Sequence, residues 1–344
     1  MPEEYFYLRY DVVNGDEEVG FCLKNPDGTF TYIDGYEDEL YPGYTFLTSY
    51  STNQEYLPAK FIYNGNTYVN VLDREGETLF EYDDLSEIVD VDYLRCVVKS
   101  EKYKGYNIVN LDTGQILFDK WLSKIEIDGN TAFVTYKTNK QNIVTAHGKK
   151  VFNTPLETIL KNPYNGTLIV GQKIDGKIKW NVCKGFVTCF DEWYDNIEFK
   201  IIPVNQDVKS SFYHYNLVAR KNDGEPAELV YVGSYNDKVL ISDVDEIGDL
   251  VYCACNIHGI IVRKGDKYNF FQLIWDGEKG LCGTYLDIWV DRLEIADAPK
   301  AISRLEGYKH WLYALLNGLW YDVGYSKYNE ALMMSPIAEQ DKKL

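Results

Sequence analysis

Apolar residues along this chain come in short alternating bursts, broken every few positions by Gly, Asn or Asp. The stretch 105–136, GYNIVNLDTGQILFDKWLSKIEIDGNTAFVTY, shows the pattern whole. YNIVN reads as a strand, Asp112–Thr113–Gly114 as a turn, and QILF as a restarted extended run. SKIEI alternates, Asp128–Gly129–Asn130 is a second turn, and TAFVTY alternates again. Three or four short strands joined by tight turns are predicted. LDREGETLF (72–80), AHGKKVF (146–152) and CKGFVTCF (183–190) carry similar Gly-marked hairpins.

The bursts repeat at long range. DKWLSKIEI, DEWYDNIEF and DIWVDRLEI place an aromatic residue four positions before an Ile or Leu. Extending the alignment puts Leu40, Ile88, Ile125, Ile159, Ile197, Ile247 and Leu293 in one slot, at successive gaps of 48, 37, 34, 38, 50 and 46 residues. The slot four residues earlier holds Tyr36, Asp84, Trp121, Pro155, Trp193, Asp243 and Trp289. Seven units of about forty residues point to a propeller-like array, with an open β-solenoid as the alternative. On a strand, Trp and Ile four apart share a face, so the phrase is expected to pack between neighbouring units. The first and fifth units are longer, and loop insertions are expected around 41–62 and 200–214.

The repeat resembles that of the WG-containing repeat family of bacteria and their phages. Trp121, Ile125, Gly129, Ala132 and Val134 match the second half of that family's unit, and Tyr106, Asn107, Val109, Asn110 and Gly114 the first. Tyr268–Asn269–Phe270 and Trp180–Asn181–Val182 match the first half again, so the naming Trp–Gly pair is replaced by Tyr–Asn or Trp–Asn. The resemblance covers about residues 60–300. It implies a β-repeat scaffold and supplies no catalytic motif to transfer.

Composition narrows the partners. The chain has 344 residues, 30 of them Tyr, and a formal net charge of −18, which disfavours a nucleic-acid groove or an anionic membrane surface. The N-terminus has neither the basic start nor the apolar run of a signal peptide, and no stretch approaches a membrane span. Seven cysteines without regular spacing argue against a disulfide framework. A cytoplasmic location is expected, or a virion if a phage encodes the chain.

Candidate chemistry falls away on inspection. Cys253, Cys255 and His258 lack the paired partners of a zinc site. Asp243, Asp245 and Gly248 suggest a calcium loop, but Ile247 and Ala254 occupy ligand positions. Four scattered His, no nucleophile motif and no phosphate loop leave no catalytic residue, metal or cofactor to name. The stretch YPGYTFLTSYSTNQEY (41–56) sets Tyr41, Tyr44, Tyr50 and Tyr56 among small polar residues, as recognition loops do.

Residues 299–320, PKAISRLEGYKHWLYALLNGLW, place Ile302, Leu305, Trp311, Leu312 and Leu315 at helical spacing, with Asn317–Gly318 as a stop. The expected organisation is therefore a β-repeat domain over 1–298 and an amphipathic helix with a tail over 299–344. The expected function is a non-enzymatic binding or structural module for a protein or glycan partner, from a phage or gut bacterium. The alternatives are a carbohydrate-active propeller enzyme and a small-molecule-sequestering protein.

Overall fold

The computed structural model of the chain describes residues 5–11, 17–33, 43–47, 55–73, 75–92, 94–201, 216–233, 237–253, 257–276, 280–297, 310–326 and 331–337. These residues are all-β, with no helix among them, and form seven antiparallel sheets in which each strand pairs with the next in sequence. The chain divides into two compact units, Met1–Thr158 and Ile159–Leu344.

In the first unit, sheet one joins β1 (Tyr5–Asp11), β2 (Glu17–Lys24), β3 (Phe30–Ile33), β4 (Tyr44–Phe46), β5 (Tyr56–Tyr63) and β6 (Asn66–Asp73). Sheet two holds β7 (Glu87–Asp92), β8 (Arg95–Ser100) and β9 (Gly105–Asn110), and sheet three β10 (Lys124–Asp128), β11 (Thr131–Thr135) and β12 (Gln141–Thr145). Sheet four, which starts at the division, is β13 (Thr158–Lys161), β14 (Leu168–Ile174), β15 (Lys177–Lys184) and β16 (Val187–Thr188). Sheet five is β17 (Asn196–Phe199), β18 (Leu217–Lys221), β19 (Ala227–Val232) and β20 (Asp237–Val244). Sheet six is β21 (Glu246–Cys253), β22 (Ile257–Lys264), β23 (Lys267–Asp276) and β24 (Gly280–Tyr285). Sheet seven is β25 (Arg292–Asp297), β26 (His310–Leu316), β27 (Leu319–Ser326) and β28 (Ala331–Pro336).

The repeated Ile/Leu slot has one structural address. Ile88, Ile125, Ile159, Ile197, Ile247 and Leu293 are each the second residue of a sheet's first strand. Leu40 lies outside the described residues. The stretch 105–136 therefore straddles two sheets, from the third strand of one to the second strand of the next.

Trp121 and Trp289, four positions earlier, stand just before the strand and face a different interface. Trp121 packs with Val71, Cys96 and Val109 between sheets one and two, while Ile125 packs with Ile108, Ala132 and Val134 between sheets two and three. Trp289 and Leu293 divide in the same way between two clusters of the second unit. The expected shared face fails because a one-residue bridge interrupts the alternation. Leu122 exchanges two backbone hydrogen bonds with Tyr106, at 2.8 and 3.0 Å, before β10 begins. Tyr194 does the same with Trp180, Val290 with Tyr268, and Leu156 with Gln141. At the first of these bridges, a Cβ at Gly105 would lie 2.3 Å from the Leu122 carbonyl oxygen, so only glycine fits.

Inner strands such as β8 and β14 are buried on both faces and read as unbroken runs, whereas β11, TAFVT, keeps its alternation. In β8, Cys96 and Val98 face sheet one while Val97 faces sheet three. Buried asparagines hold the next segment onto the last strand of sheet one and the third strands of sheets two, three, four and six. Asn107 donates from Nδ2 to the Phe118 carbonyl, and its Oδ1 accepts from the Phe118 and Ile108 N–H groups. Asn70 clips Phe80, Asn142 clips Phe152, Asn181 clips Phe190 and Asn269 clips Leu286, with Nδ2-to-oxygen distances of 2.7–3.1 Å throughout. In sheets two and three the clipped segment is not a full strand, only an isolated bridge, Val109 to Ile116 and Val144 to Lys150.

The C-terminal helix is not present in the part of 299–320 that is described. Residues 310–316 and 319–326 are the paired strands β26 and β27. Asn317 and Gly318 have φ of 51° and 77°, the left-handed pair of a two-residue hairpin. The apolar run HWLYALL is short and bounded by that turn, where periodicity alone does not separate helix from strand. The insertion expected at 41–62 is also partly strand, β4 and most of β5. The one expected at 200–214 lies almost wholly outside the described residues.

Two outcomes follow from this packing. Asn107→Ala is expected to destabilise the protein by about 2–3 kcal/mol, because it leaves buried backbone groups of Phe118 and Ile108 unpaired. A lower urea midpoint and faster hydrogen exchange at those two amides check it. Burial pushes the His258 imidazole down to about 4. Its contribution is therefore complete above pH 6.5 and is lost as pH falls toward 4, up to about 3 kcal/mol. Thermal melts of wild type and His258→Gln should diverge in slope across that window.

Candidate functional site

The richest exposed feature of the first unit grows from the β5–β6 hairpin. Asn64 and Gly65, at φ 51° and 79°, close a two-residue turn that pairs Tyr63 with Asn66 and Phe61 with Tyr68. Across the other edge of β5, Tyr44 pairs with Phe61. Alternation then puts Phe61 and Tyr63 on one face of β5, and the turn at 82–84 lays Tyr82 against them.

Five rings meet there. Ring centroids are 5.2 Å apart for Tyr44–Phe61, 5.7 Å for Phe61–Tyr68, 5.2 Å for Phe61–Tyr82 and 5.1 Å for Tyr63–Tyr82. Phe61 is buried beneath the others, whereas Tyr63 and Tyr82 remain 51% and 45% exposed. Burial pushes the Tyr44 phenol above its ordinary value, and Tyr82 and Glu77 beside it add to the shift. The result is a rigid aromatic surface with hydroxyls at its rim.

Next to it lies a cavity of about 420 Å³, also within the first unit. Its walls come from two successive clips, through Phe80 on one side and Asn107 with Phe118 on the other. Trp121 and Tyr103 stack at 4.9 Å with ring planes 15° apart, and Glu81, Asp84 and Asp119 supply carboxylates. Asp84 is only 7% exposed. It is bonded to the Lys102 ammonium and accepts a hydrogen bond from the Tyr103 hydroxyl at 3.2 Å. Lys102 also lies 3.5 Å from Glu81 and 5.6 Å from the Tyr103 ring centroid. Oxygens of Glu81, Asp83 and Asp84 fall within 4.8 Å of one another, and Lys102 is the cation that serves them. A metal ion would have to displace it.

A second cavity, of about 340 Å³, sits between sheets five and six of the second unit over Ala219, Ala227 and Gly248. Its cations are already engaged. Arg220 pairs with Glu228 at 2.8 Å, and Lys221 donates to the Asp245 carbonyl at 3.1 Å.

Of the four tyrosines expected to form a recognition surface, Tyr41 and Tyr50 lie outside the described residues. Tyr44 belongs to the aromatic surface. Tyr56 is placed elsewhere, in the apolar cluster between sheets one and two, with its ring over Gly114. Tyr63, Tyr68 and Tyr82 were not singled out in the sequence. The Asn64–Gly65 dipeptide was the available signal, since it fixes the register that gathers them.

No protein-family model and no curated protein matches the chain. Solved structures do align with it. One is Hsv2p of Kluyveromyces lactis, at 10% identity over 77% of this chain and 93% of that one, with a TM-score of 0.24. Apo AztD from Citrobacter koseri aligns at 12% identity over 90% and 91%, with a TM-score of 0.27. The N-terminal domain of Nup159 aligns at 8% identity over 75% and 83%, with a TM-score of 0.20. At scores this low none of them bears on function. Among the described residues no helix is long and apolar enough to cross a membrane.

A side chain at position 114 would meet Tyr56 at 2.3 Å and would sit at φ +65°. Gly114→Ala is expected to cost about 1–3 kcal/mol. Tyr56→Leu in the same chain should recover part of the loss in urea unfolding, leaving the share due to backbone strain.

Proposed function

We propose that the protein is a non-enzymatic binding module that engages a protein or glycan partner through the aromatic surface of Tyr44, Phe61, Tyr63, Tyr68 and Tyr82. The observation that carries this is the pair of half-exposed tyrosines, Tyr63 and Tyr82, held by a buried Phe61. Large rigid rings with polar tips give contact area at little cost in side-chain entropy. Exposed apolar patches of this kind mark interaction sites more often than they occur idly. The repeat's resemblance to the WG-containing family agrees with a scaffolding role in a bacterial or phage setting.

The test is a paired screen of the full chain on a glycan array and a displayed-peptide library. Tyr63→Ala/Tyr82→Ala is expected to lower any specific binding about ten-fold or more, with melting temperature nearly unchanged because both rings are half exposed. Hits that survive the double substitution would place the binding surface elsewhere.

A further inference from the structure

We propose that the cavity beside the tyrosine surface receives the cationic side chain of a lysine or arginine on an extended segment of a protein partner, seated where the Lys102 ammonium now lies. This rests on the docking role given to the tyrosine surface and narrows its occupant from protein or glycan to a basic peptide.

The cavity's chemistry is that of a cation seat. Its stacked Tyr103 and Trp121 offer π faces, and Glu81, Asp84 and Asp119 offer carboxylates. Glu81, Asp84 and Asp119 line the cavity and the Lys102 ammonium pairs with Glu81 and Asp84, so the lining carboxylates outnumber that ammonium. Lys102 itself shows which group the seat holds. Its Nζ is bonded to the nearly buried Asp84, stands 3.5 Å from Glu81 and lies 5.6 Å from the centroid of the Tyr103 ring. Its side chain is nevertheless 45% exposed and enters from the turn at 101–104, so it can swing out to solvent and give up the position. Asp84 cannot follow it, and its burial demands that another cation replace the one that leaves.

Continuity with the aromatic surface selects a peptide over a free cation. Tyr82 lies between Glu81, which lines the cavity, and Asp83, so both sites share one turn. A partner strand rises about 3.3 Å per residue. One extended segment thus places an apolar or aromatic residue on Tyr63 and Tyr82 and a basic residue in the cavity. Exposed Glu77 lies beside Tyr44 and exposed Asp83 beside Glu81 and Asp84, and the chain's net charge of −18 steers a basic partner toward them. A glycan brings neutral hydroxyls, which leave the Asp84 charge uncompensated once Lys102 is displaced.

The proposal is tested by calorimetric titration of the full chain with acetylated tetralysine, tetra-arginine, tetraglutamate and a neutral tetrasaccharide. The two basic peptides are expected to bind and the other two not. Asp84→Asn should weaken binding about ten-fold. Asp112→Asn, the same charge change on an exposed turn of the same unit, should weaken it less than about two-fold. Lys102→Ala removes the competing ammonium and should tighten binding several-fold. Lys124→Ala, an equal charge change on the exposed start of β10, should not. Because Lys102→Ala leaves the buried carboxylate in place, it decides the matter if Asp84→Asn folds poorly. Equal losses for Asp84→Asn and Asp112→Asn would mean diffuse attraction and overturn the proposal. Tetrasaccharide binding that depends on Asp84 would overturn it in favour of a glycan. Binding in the paired screen that depends on Tyr63 and Tyr82, with no tetralysine binding, would remove this seat and leave the docking surface standing.

Discussion

The buried asparagine amide is the interaction on which each clipped sheet depends. A strand that turns back on itself must satisfy the N–H and C=O of the returning segment, away from water. Asn107 meets both with one planar group and also caps the N–H of its own successor. Asn70, Asn142, Asn181 and Asn269 repeat the arrangement. No other uncharged short side chain carries a donor and an acceptor in that geometry. Serine lacks the reach and aspartate lacks the donor. In three cases the clip delivers a bulky residue, Phe80, Phe118 or Phe190, to the interface that the strand also serves.

Among the described residues, the apolar clusters that join sheets join sequence neighbours. The cluster of Val71, Phe80 and Leu85 with Cys96, Val98 and Val109 joins sheets one and two, and that of Val97, Ile108 and Phe118 with Ala132 and Val134 joins sheets two and three. Stability in such an array is close to a sum of nearest-neighbour terms. The backbone bridges, such as Leu122 with Tyr106, add a polar tie where two sheets meet, and they fix the entry of each new first strand. The proposed docking surface uses this rigidity. Its cavity is walled by two clips, so Trp121 and Asp84 project from positions that packing holds still.

Much of the scaffold was legible in the sequence. The Ile/Leu slot at 88, 125, 159, 197, 247 and 293 marked the first strand of six sheets, because a strand's second residue is partly or fully buried at each of them. The asparagines were visible as Tyr–Asn and Trp–Asn pairs, but their role was not. An amide that binds a main-chain carbonyl about ten residues away leaves no signature in the partner's side chain. The C-terminal strands look helical in the sequence because apolar residues in HWLYALL satisfy helical spacing, while Asn317–Gly318 serves a hairpin as readily as a helix end. The aromatic surface was half legible: Tyr44 was named, but Tyr63, Tyr68 and Tyr82 come together only through strand register. The Trp121–Tyr103 stack depends on the turn at 101–104, which spacing does not encode.

The clip also separates two quantities that most β-hairpins tie together. In an ordinary hairpin the number of turn residues sets which residues face each other. Here the distance along the chain from asparagine to its partner is 9 residues for Asn181, 10 for Asn70 and Asn142, 11 for Asn107 and 17 for Asn269. The amide finds the same two backbone atoms in every case. Turns that follow the clipped strands can therefore gain or lose residues without shifting the sheet behind them. They are natural sites for grafted peptides, and for the length variation by which a repeat family acquires new specificities.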